Sequence, residues 1–266
     1  MPKLKHRGAY LHYDVISEEK PISLLLIMGW GGNSLMWDPI IGPLSEKFKI
    51  ITFDNRGVGR SSKLKEPYSM ELFVDDTKAI LDELGISKTH LFGVSMGGMI
   101  AQHFVLTYPK IVDKLILGCT SPKLGVNLKH ALDQDKSPFF VRSFSPTDIK
   151  QLLTLIFSPS YVEKVMKDTE ELRKFFTFYA KYPPSWNGMK NQAAAIADHD
   201  TLDRINEIKH QTLIIAGRAD ALIPFRHSKK LKDSIPNSRL ILYNDTGHGF
   251  WIEKPKETVQ NLLKFL

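Results

Sequence analysis

Short apolar runs recur along the chain and are separated by stretches of mixed polarity. The run at residues 22–28 is nearly continuous, which is typical of a strand buried on both faces of a parallel sheet. The same pattern predicts further strands at residues 11–16, 48–53, 89–94, 112–119, 212–217 and 238–243. We expect the strand at residues 11–16 to lie at an edge of the sheet.

Helical spacing of apolar residues follows several of these strands. Residues 68–85 carry apolar side chains at helical intervals, and Gly85 is a typical C-terminal stop signal. Further helices are predicted at residues 96–108, 225–234 and 250–266. Strands that alternate with helices predict an α/β fold, in which a parallel sheet has helices on both faces.

The alternation breaks between Thr120 and Asp200, where no convincing strand is present. Ser145-Pro146 and Ser158-Pro159 each open an amphipathic stretch, with proline in the first helical turn. We therefore predict a helical cap of roughly 80 residues inserted into the α/β core, a length that holds several average helices. Insertions of this kind are expected over the ligand-binding edge of a sheet.

Composition excludes several classes of protein. With 42% hydrophobic and 24% charged residues, the chain is globular and not disordered. The single cysteine, Cys119, permits no intramolecular disulfide and no cysteine-rich zinc site. The first nine residues are basic and mixed with no apolar signal-peptide core behind them, so we expect a cytoplasmic protein without a membrane anchor.

The formal net charge of +7 raises the question of nucleic-acid binding. The lysines are scattered, however, and the densest basic cluster, at residues 227–232, is short and lies on a predicted surface helix. A solvated basic face is therefore the favoured interpretation, and nucleic acid is not an expected partner.

A candidate nucleophile lies between a predicted strand and a predicted helix. Ser95 is the centre of the string Gly-Val-Ser-Met-Gly at residues 93–97. This string occurs by chance in about one chain in ten of this length, but a strand, a tight turn and a helix are the context that it requires. Such a turn exposes the Ser95 hydroxyl above the sheet, and the N–H of Met96 then points at the site from a helix N-terminus.

A serine hydroxyl needs a base, and His248 is the best of nine histidines. It follows the last predicted strand and precedes the last predicted helix, which places it at the same edge of the sheet as Ser95. Glycines on both sides of His248 allow its ring to reach the site.

The base needs an acid that orients it, and Asp220 follows the preceding strand at the same edge. Asp245 is a rival, although it is only three residues from His248, and Asp198 and Asp200 at the end of the cap are two others. The string Asp198-His199-Asp200 suggests metal ligands, but no third ligand motif accompanies it, so we expect no metal site.

An oxyanion site needs a second N–H donor, normally from a loop after an early strand. The glycine-rich segment at residues 28–34 follows the first buried strand, and the N–H of Trp30 is the candidate donor. Its glycines would allow close approach of the backbone to a substrate oxygen.

These motifs together resemble the α/β-hydrolase superfamily, and within it the small bacterial esterases and 3-oxoadipate enol-lactonase-like hydrolases. The resemblance rests on residues 93–101 at the predicted turn, on Gly217-Arg218-Ala219-Asp220 with Ile223-Pro224, and on the loop Asp-Asn-Arg-Gly-Val-Gly-Arg-Ser at residues 54–61. The order Ser95, Asp220, His248 is also the order of serine, acid and histidine in that superfamily.

The resemblance implies a mostly parallel, eight-stranded sheet with helices on both faces. It implies a core domain formed by residues 1–119 and 201–266, with a helical cap at residues 120–200. One departure stands out, because Met28 replaces the histidine that usually precedes Gly29 in the family. Relatives that act as haloalkane dehalogenases or epoxide hydrolases carry aspartate at the nucleophile position, and Ser95 argues against both activities.

We accordingly predict a serine hydrolase that cleaves a small or medium carboxylic ester or lactone without a metal or organic cofactor. The predicted pocket is apolar and includes Phe139, Phe140, Trp186 and Phe250. Alternatives are a carbon–carbon bond hydrolase or a perhydrolase with the same triad, or a signalling protein that binds a ligand on this fold.

Overall fold

Eight strands form one continuous sheet in the computed structural model, which describes residues 2–124, 146–168, 170, 172, 173, 176, 177 and 181–266. The strands are β1 (Lys3–His6), β2 (Ala9–Ile16), β3 (Ser23–Ile27), β4 (Lys49–Phe53), β5 (Thr89–Val94), β6 (Val112–Gly118), β7 (Thr212–Gly217) and β8 (Ser238–Tyr243). Their order in the sheet is β1-β2-β4-β3-β5-β6-β7-β8. All neighbouring pairs from β4 to β8 are parallel, so the predicted eight-stranded, mostly parallel sheet is confirmed.

The helices of the described residues are numbered α1 to α9. They are α1 (Asp38–Ser45), α2 (Met70–Glu83), α3 (Met96–Thr107), α4 (Pro146–Ile156), α5 (Pro159–Lys167), α6 (Trp186–Ala197), α7 (Arg226–Ser234), α8 (Phe250–Glu253) and α9 (Pro255–Phe265). No helix within this part of the chain has the length and apolar character needed to cross a bilayer.

The apolar runs of the central strands are buried on both faces of the sheet. Leu24 and Leu26 belong to one core cluster, and Leu25 and Ile27 belong to a second. Alternate residues of a strand point to opposite faces, so a strand covered by helices on both faces needs apolar residues at every position. This requirement explains the continuous run in the sequence.

The prediction that residues 11–16 form an edge strand is wrong. That segment lies in β2, which pairs with β4 on one side and with β1 on the other, both antiparallel. Arg7 and Gly8 connect β1 to β2 with φ values of 42° and 78°, a turn whose backbone suits a tight hairpin. The edge strand β1 reads Lys-Leu-Lys-His, and its polar residues conceal it from a search for apolar runs.

The C-terminal helix predicted at residues 250–266 is two helices, α8 and α9. The helical path is interrupted at Lys254, whose φ and ψ are −129° and 54°. Lys254 precedes Pro255, and a residue before proline is disfavoured in the helical conformation. The interruption gives α9 its own N-terminus, with the proline in its first turn.

Helices α4, α5 and α6 lie between β6 and β7 in the chain, and we call them the β6–β7 helices. The side chain of Ser158 accepts a hydrogen bond from the N–H of Tyr161 and caps α5, as the Ser-Pro string suggested. The segment returns beside its own starting point, where Lys123 and Asp200 form a β-bridge and Thr201 N–H donates to the Pro122 carbonyl. The division into a core and a cap stays a prediction.

Candidate active site

Ser95, Asp220 and His248 follow three strands at their carboxyl ends. Ser95 comes directly after β5, Asp220 lies three residues after β7, and His248 lies five residues after β8. Because β5 to β8 are consecutive and parallel, the sheet brings all three segments to one edge. Ligands of open parallel sheets bind at this edge.

The turn at Ser95 is strained in the way that an exposed nucleophile requires. Ser95 has φ 56° and ψ −123°, values that only a few non-glycine residues adopt. A Cβ on Gly93 would overlap the carbonyl oxygen of Gly97, and a Cβ on Gly97 would overlap the carbonyl oxygen of Ile27. Both glycines are therefore sterically necessary for the turn, and α3 begins immediately after Ser95.

Asp220 and His248 form a buried hydrogen-bonded pair. Nδ1 of His248 lies 2.8 Å from Oδ2 of Asp220, while Oδ1 of Asp220 accepts the N–H groups of Leu222 and Ile223 at 2.9 Å each. Since a carboxylate accepts, Nδ1 carries the hydrogen in the neutral ring and Nε2 is left as a proton acceptor.

Burial and charge act in opposite directions on His248. Burial of the ring disfavours the imidazolium, but the Asp220 carboxylate stabilises it, and the net effect raises the pKa of His248 well above its ordinary value. A raised pKa suits a group that takes up a proton during a reaction and holds it beside a fixed anion.

Glu253, which is not among the predicted site residues, holds the loop that carries His248 in place. Glu253 accepts the N–H of Gly247 at 2.7 Å and the hydroxyl of Ser158 at 2.6 Å, so it joins the His248 loop to the start of α5. Burial raises the pKa of Glu253. No local signal distinguishes Glu253 from the other acids of the C-terminal helices, because its partners lie in other segments.

A thiol lies beside the acid and the base. Sγ of Cys119, a carboxylate oxygen of Asp220 and a ring nitrogen of His248 all lie within 4.8 Å of one another, and the three residues are buried. They form the one group of three potential metal ligands found among the described residues. A metal here would compete for the atoms that already join Asp220 to His248, so we assign the group to acid–base pairing. Burial raises the pKa of the Cys119 thiol, which favours its neutral form.

The segment after β3 lies over Ser95. A Cβ on Gly29 would approach the Cβ of Ser95 to 2.9 Å, so the glycine is what allows this loop to pass so close to the serine. At the other side of the serine, the N–H groups of Gly98 and Met99 donate to the Ser95 carbonyl. The N–H of Met96 therefore belongs to the first turn of α3, where amide groups precede the helical hydrogen bonds.

Met28 stands where the resemblance leads one to expect histidine, and its backbone is held by another side chain. Nδ2 of Asn55 donates to the Met28 carbonyl at 3.0 Å, and both residues are buried. Asn55 lies in the loop 54–61, one of the segments that carry the resemblance to the α/β-hydrolase superfamily. An asparagine on the neighbouring loop therefore supports the start of this segment.

Among the described residues, the rival acids form no hydrogen bond with His248. Asp245 accepts the hydroxyl of Ser160 at 2.6 Å, and Asp200 pairs with Lys123 at 2.5 Å. Asp198 is exposed at the end of α6. Asp220 alone of the four candidates contacts the imidazole in this part of the chain.

The predicted pocket residues have different outcomes. Phe139 and Phe140 lie outside the described residues. Trp186 is the first residue of α6 and is 38% exposed, so its role in a pocket stays a prediction. The prediction for Phe250 is wrong, because this side chain has no exposed surface and packs within the core. Its ring lies against Gly118, where a Cβ would come within 2.9 Å of it.

Comparisons with known proteins agree with this architecture. The model of the alpha/beta hydrolase fold family matches residues 22–255. RutD of Agrobacterium fabrum, which carries the name of a carbamate hydrolase, is 26% identical over 260 residues, covering 96% of this chain and 98% of the relative. YisY of Bacillus subtilis, named as an AB hydrolase superfamily protein, is 30% identical over 258 residues, covering 95% and 93%.

A solved structure extends the agreement to the fold as a whole. The enol-lactonase from Burkholderia xenovorans LB400 superposes with a TM-score of 0.87 at 22% identity, and the match covers 99% of each chain. At this identity the likeness concerns the fold alone. The eight-stranded sheet and its helices are thus the architecture of a known enzyme fold.

Proposed function

This chain belongs to the alpha/beta hydrolase family, and we propose that it is a serine hydrolase that cleaves small or medium carboxylic esters or lactones. The observation that carries the proposal is the Asp220–His248 hydrogen bond at the sheet edge where Ser95 occupies a strained turn. An oriented imidazole at the same edge as a partly exposed serine is the arrangement that nucleophilic acyl transfer needs.

In the proposed first step, Oγ of Ser95 attacks the substrate carbonyl carbon while Nε2 of His248 takes the hydroxyl proton. The carbonyl oxygen becomes an oxyanion, which the N–H groups of Trp30 and Met96 stabilise. The imidazolium then gives its proton to the leaving alkoxide, and an acyl-enzyme remains on Ser95.

In the second step a water molecule attacks the acyl carbon and His248 takes a proton from it. Collapse of the second oxyanion releases the carboxylic acid and returns the proton to Oγ of Ser95. Throughout, the Asp220 carboxylate keeps Nδ1 as a donor and stabilises the cationic ring. No step draws on a redox group or a metal.

We further propose that residues 120–200 form a cap over this edge, with Trp186 among the residues that limit substrate size. Three contacts support the arrangement. Gly249 N–H donates to the Ile156 carbonyl in α4, Ser158 at the start of α5 contacts Glu253, and Trp30 contacts α6 through the hydrogen bond from its Nε1 to the Met189 carbonyl.

The decisive experiment combines labelling and turnover. A fluorophosphonate should label the wild-type protein at Ser95, and p-nitrophenyl esters of increasing chain length should be hydrolysed alongside a panel of lactones. Carbamates belong in the same panel because RutD is named for their hydrolysis. Ser95→Ala should abolish labelling and lower turnover by several orders of magnitude.

Ser45→Ala is the matched control, since Ser45 ends α1 and its hydroxyl bonds only the Gly42 carbonyl among the described contacts. It should leave both measurements unchanged. Labelling at a serine other than Ser95 would refute the assignment. Labelling without turnover on any ester, lactone or carbamate would instead indicate a ligand-binding protein.

A further inference from the structure

One side-chain amide joins α6 to two loops, the loop after β3 and the loop after β4. Gln192 has no exposed surface. Its Oε1 accepts the N–H of Gly31 at 2.9 Å, and its Nε2 donates to the carbonyl of Arg56 at 2.9 Å. The loop after β3 and the loop after β4 are therefore connected through a residue of the β6–β7 helices.

Further contacts from α6 reach the same short segment. Nε1 of Trp30 donates to the carbonyl of Met189 at 2.9 Å. A Cβ on Gly31 would come within 2.5 Å of the Met189 sulfur, so this glycine is in close contact with α6. Together with Gln192, these contacts attach Trp30 and Gly31 to α6.

The segment needs such support because of its composition. Gly29, Gly31 and Gly32 surround Trp30, and glycine gives a backbone more conformational freedom than any other residue. Within the segment, the N–H of Gly32 donates to the Gly29 carbonyl at 3.2 Å. The Gly29 carbonyl belongs to the same peptide group as the Trp30 N–H, and Gln192 fixes the next peptide group through the Gly31 N–H. The peptide that carries the Trp30 N–H is therefore held through its own carbonyl and through its neighbour.

We propose that Gln192 is a positioning residue that holds the Trp30 N–H in place to stabilise the oxyanion. The inference rests on the proposed serine hydrolase function and adds a residue from α6 to the machinery of that reaction. An oxyanion donor acts only if it is already aligned when the charge develops, and small misplacements of such groups are costly. It follows that undocking of α6 would lower the rate without touching Ser95, Asp220 or His248.

The test replaces Gln192 by a side chain of similar length without polar groups. Gln192→Met should lower kcat by about 10- to 100-fold, somewhat less than the loss expected for complete removal of one oxyanion donor. KM for a p-nitrophenyl ester should stay within about threefold, because the donor acts on the transition state more than on the bound ester. Affinity for a trifluoromethyl ketone, which forms the oxyanion, should fall in proportion to kcat/KM, whereas affinity for the product acid should not.

Asn191→Ala is the matched control. Asn191 is the neighbouring residue of α6, and its Nδ2 donates to the carbonyls of Lys65 and Glu66. This variant removes contacts between α6 and the rest of the chain without touching residues 29–32, so kcat should change less than threefold. Gln192→Glu keeps an acceptor for the Gly31 N–H and should recover part of the kcat lost in Gln192→Met.

Melting temperatures of all variants distinguish a loss of folding from a displaced Trp30 N–H. If Gln192→Met fails to fold, Gln192→Asn replaces it, because asparagine is too short to reach both loops. Equal kcat values for Gln192→Met and Asn191→Ala would overturn the inference, as would a loss confined to KM or unchanged affinity for the trifluoromethyl ketone. If the wild-type protein neither hydrolyses esters nor is labelled at Ser95, the proposed function fails and the inference falls with it. An active wild type with an unaffected Gln192→Met overturns the inference alone.

Discussion

Sγ of Cys119 lies within 4.8 Å of a ring nitrogen of His248, so the one thiol of the chain is a neighbour of the candidate base. Cys119 follows β6 as Ser95 follows β5, and both residues have positive φ, 39° and 56°. The Ser95 N–H donates to the carbonyl of Gly118, the residue before Cys119, at 2.9 Å. Two adjacent parallel strands are thus each followed directly by a non-glycine residue with positive φ.

Position alone does not make Cys119 reactive. The residue is fully buried, and burial raises the pKa of its thiol, whereas the thiolate is the reactive form. We predict that iodoacetamide alkylates Cys119 in guanidinium-unfolded protein but not in the folded protein over the same interval, as measured by mass spectrometry. Cys119→Ala should keep ester turnover within about threefold, since Asp220 and His248 remain paired. Rapid alkylation of the folded protein, with loss of activity, would assign the thiol a part in the chemistry.

Asp220→Asn tests the acid through two readouts. Turnover should fall by about 10⁴-fold, because an amide does not hold Nδ1 as a donor or stabilise the cationic ring. Removal of the carboxylate also removes the strongest of the interactions that raise the pKa of His248. The acidic limb of the kcat/KM profile should therefore move to lower pH, since His248 must be neutral to accept the serine proton.

Asp245→Asn is the control for this experiment. Asp245 lies on the same loop as His248 but bonds Ser160 of α5. The variant should retain most of the turnover and leave the acidic limb in place. If Asp220→Asn kept its turnover while Asp245→Asn lost most of it, Asp245 would replace Asp220 as the acid.

Gly188 in α6 contacts Gly57 at the backbone level. A Cβ on Gly188 would overlap the carbonyl oxygen of Gly57, and neither group can move without shifting its whole segment. Gly188→Ala should therefore lower the free energy of unfolding by about 1–3 kcal/mol, the usual range for overpacking, and should also lower kcat by displacing α6.

The matched control is Gly42→Ala. Gly42 is also helical, but apart from its chain neighbours and the backbone of its own helix nothing lies within 4 Å of its would-be Cβ. Alanine should change the free energy of unfolding by less than about 1 kcal/mol, because its better helix propensity is offset by its position before Pro43. Chemical denaturation of both variants measures the difference, and equal stabilities would argue against tight docking of α6 at residue 57.

The positions of Ser95, Asp220 and His248 at one sheet edge were predictable, because parallel strands bring the residues that follow them to the same edge. Once residues 89–94, 212–217 and 238–243 are recognised as buried strands, the residues after them must meet at one edge, whatever the loops between them. Gln192 was not predictable in the same way. Its partner Gly31 is 161 residues away in the chain, and no local pattern marks a glutamine whose two contacts depend on how α6 docks. The prediction that Phe250 lines the pocket was wrong for a related reason, since an aromatic residue at the sheet edge packs equally well into the core.

Outside the candidate site, the buried His199 and the half-buried His103 join α3 to the segment after α6. Nε2 of His199 lies 2.9 Å from the Ser121 carbonyl, and Nδ1 of His199 lies 3.1 Å from Nε2 of His103. Since a carbonyl only accepts, Nε2 of His199 carries its hydrogen, and Nδ1 accepts the hydrogen of His103. Protonation of His199 would place two N–H groups against each other. Burial of the ring lowers the pKa of His199 to about 4.

This pKa fixes a pH window for stability. In the unfolded chain His199 takes up a proton near its ordinary pKa of about 6.5, while the folded protein resists protonation until about pH 4. Between these values the unfolded state binds more protons, so the free energy of unfolding must fall as the pH falls. The contribution of His199 amounts to about 3 kcal/mol across the window, at about 1.4 kcal/mol per pKa unit.

Denaturant unfolding of the wild-type protein and of His199→Gln from pH 7 to pH 4 measures this contribution, because glutamine keeps an amide donor for Ser121 but does not titrate. The stability advantage of the wild type over the variant should shrink by about 3 kcal/mol over this range, and a constant difference would show that His199 is not held neutral by the fold.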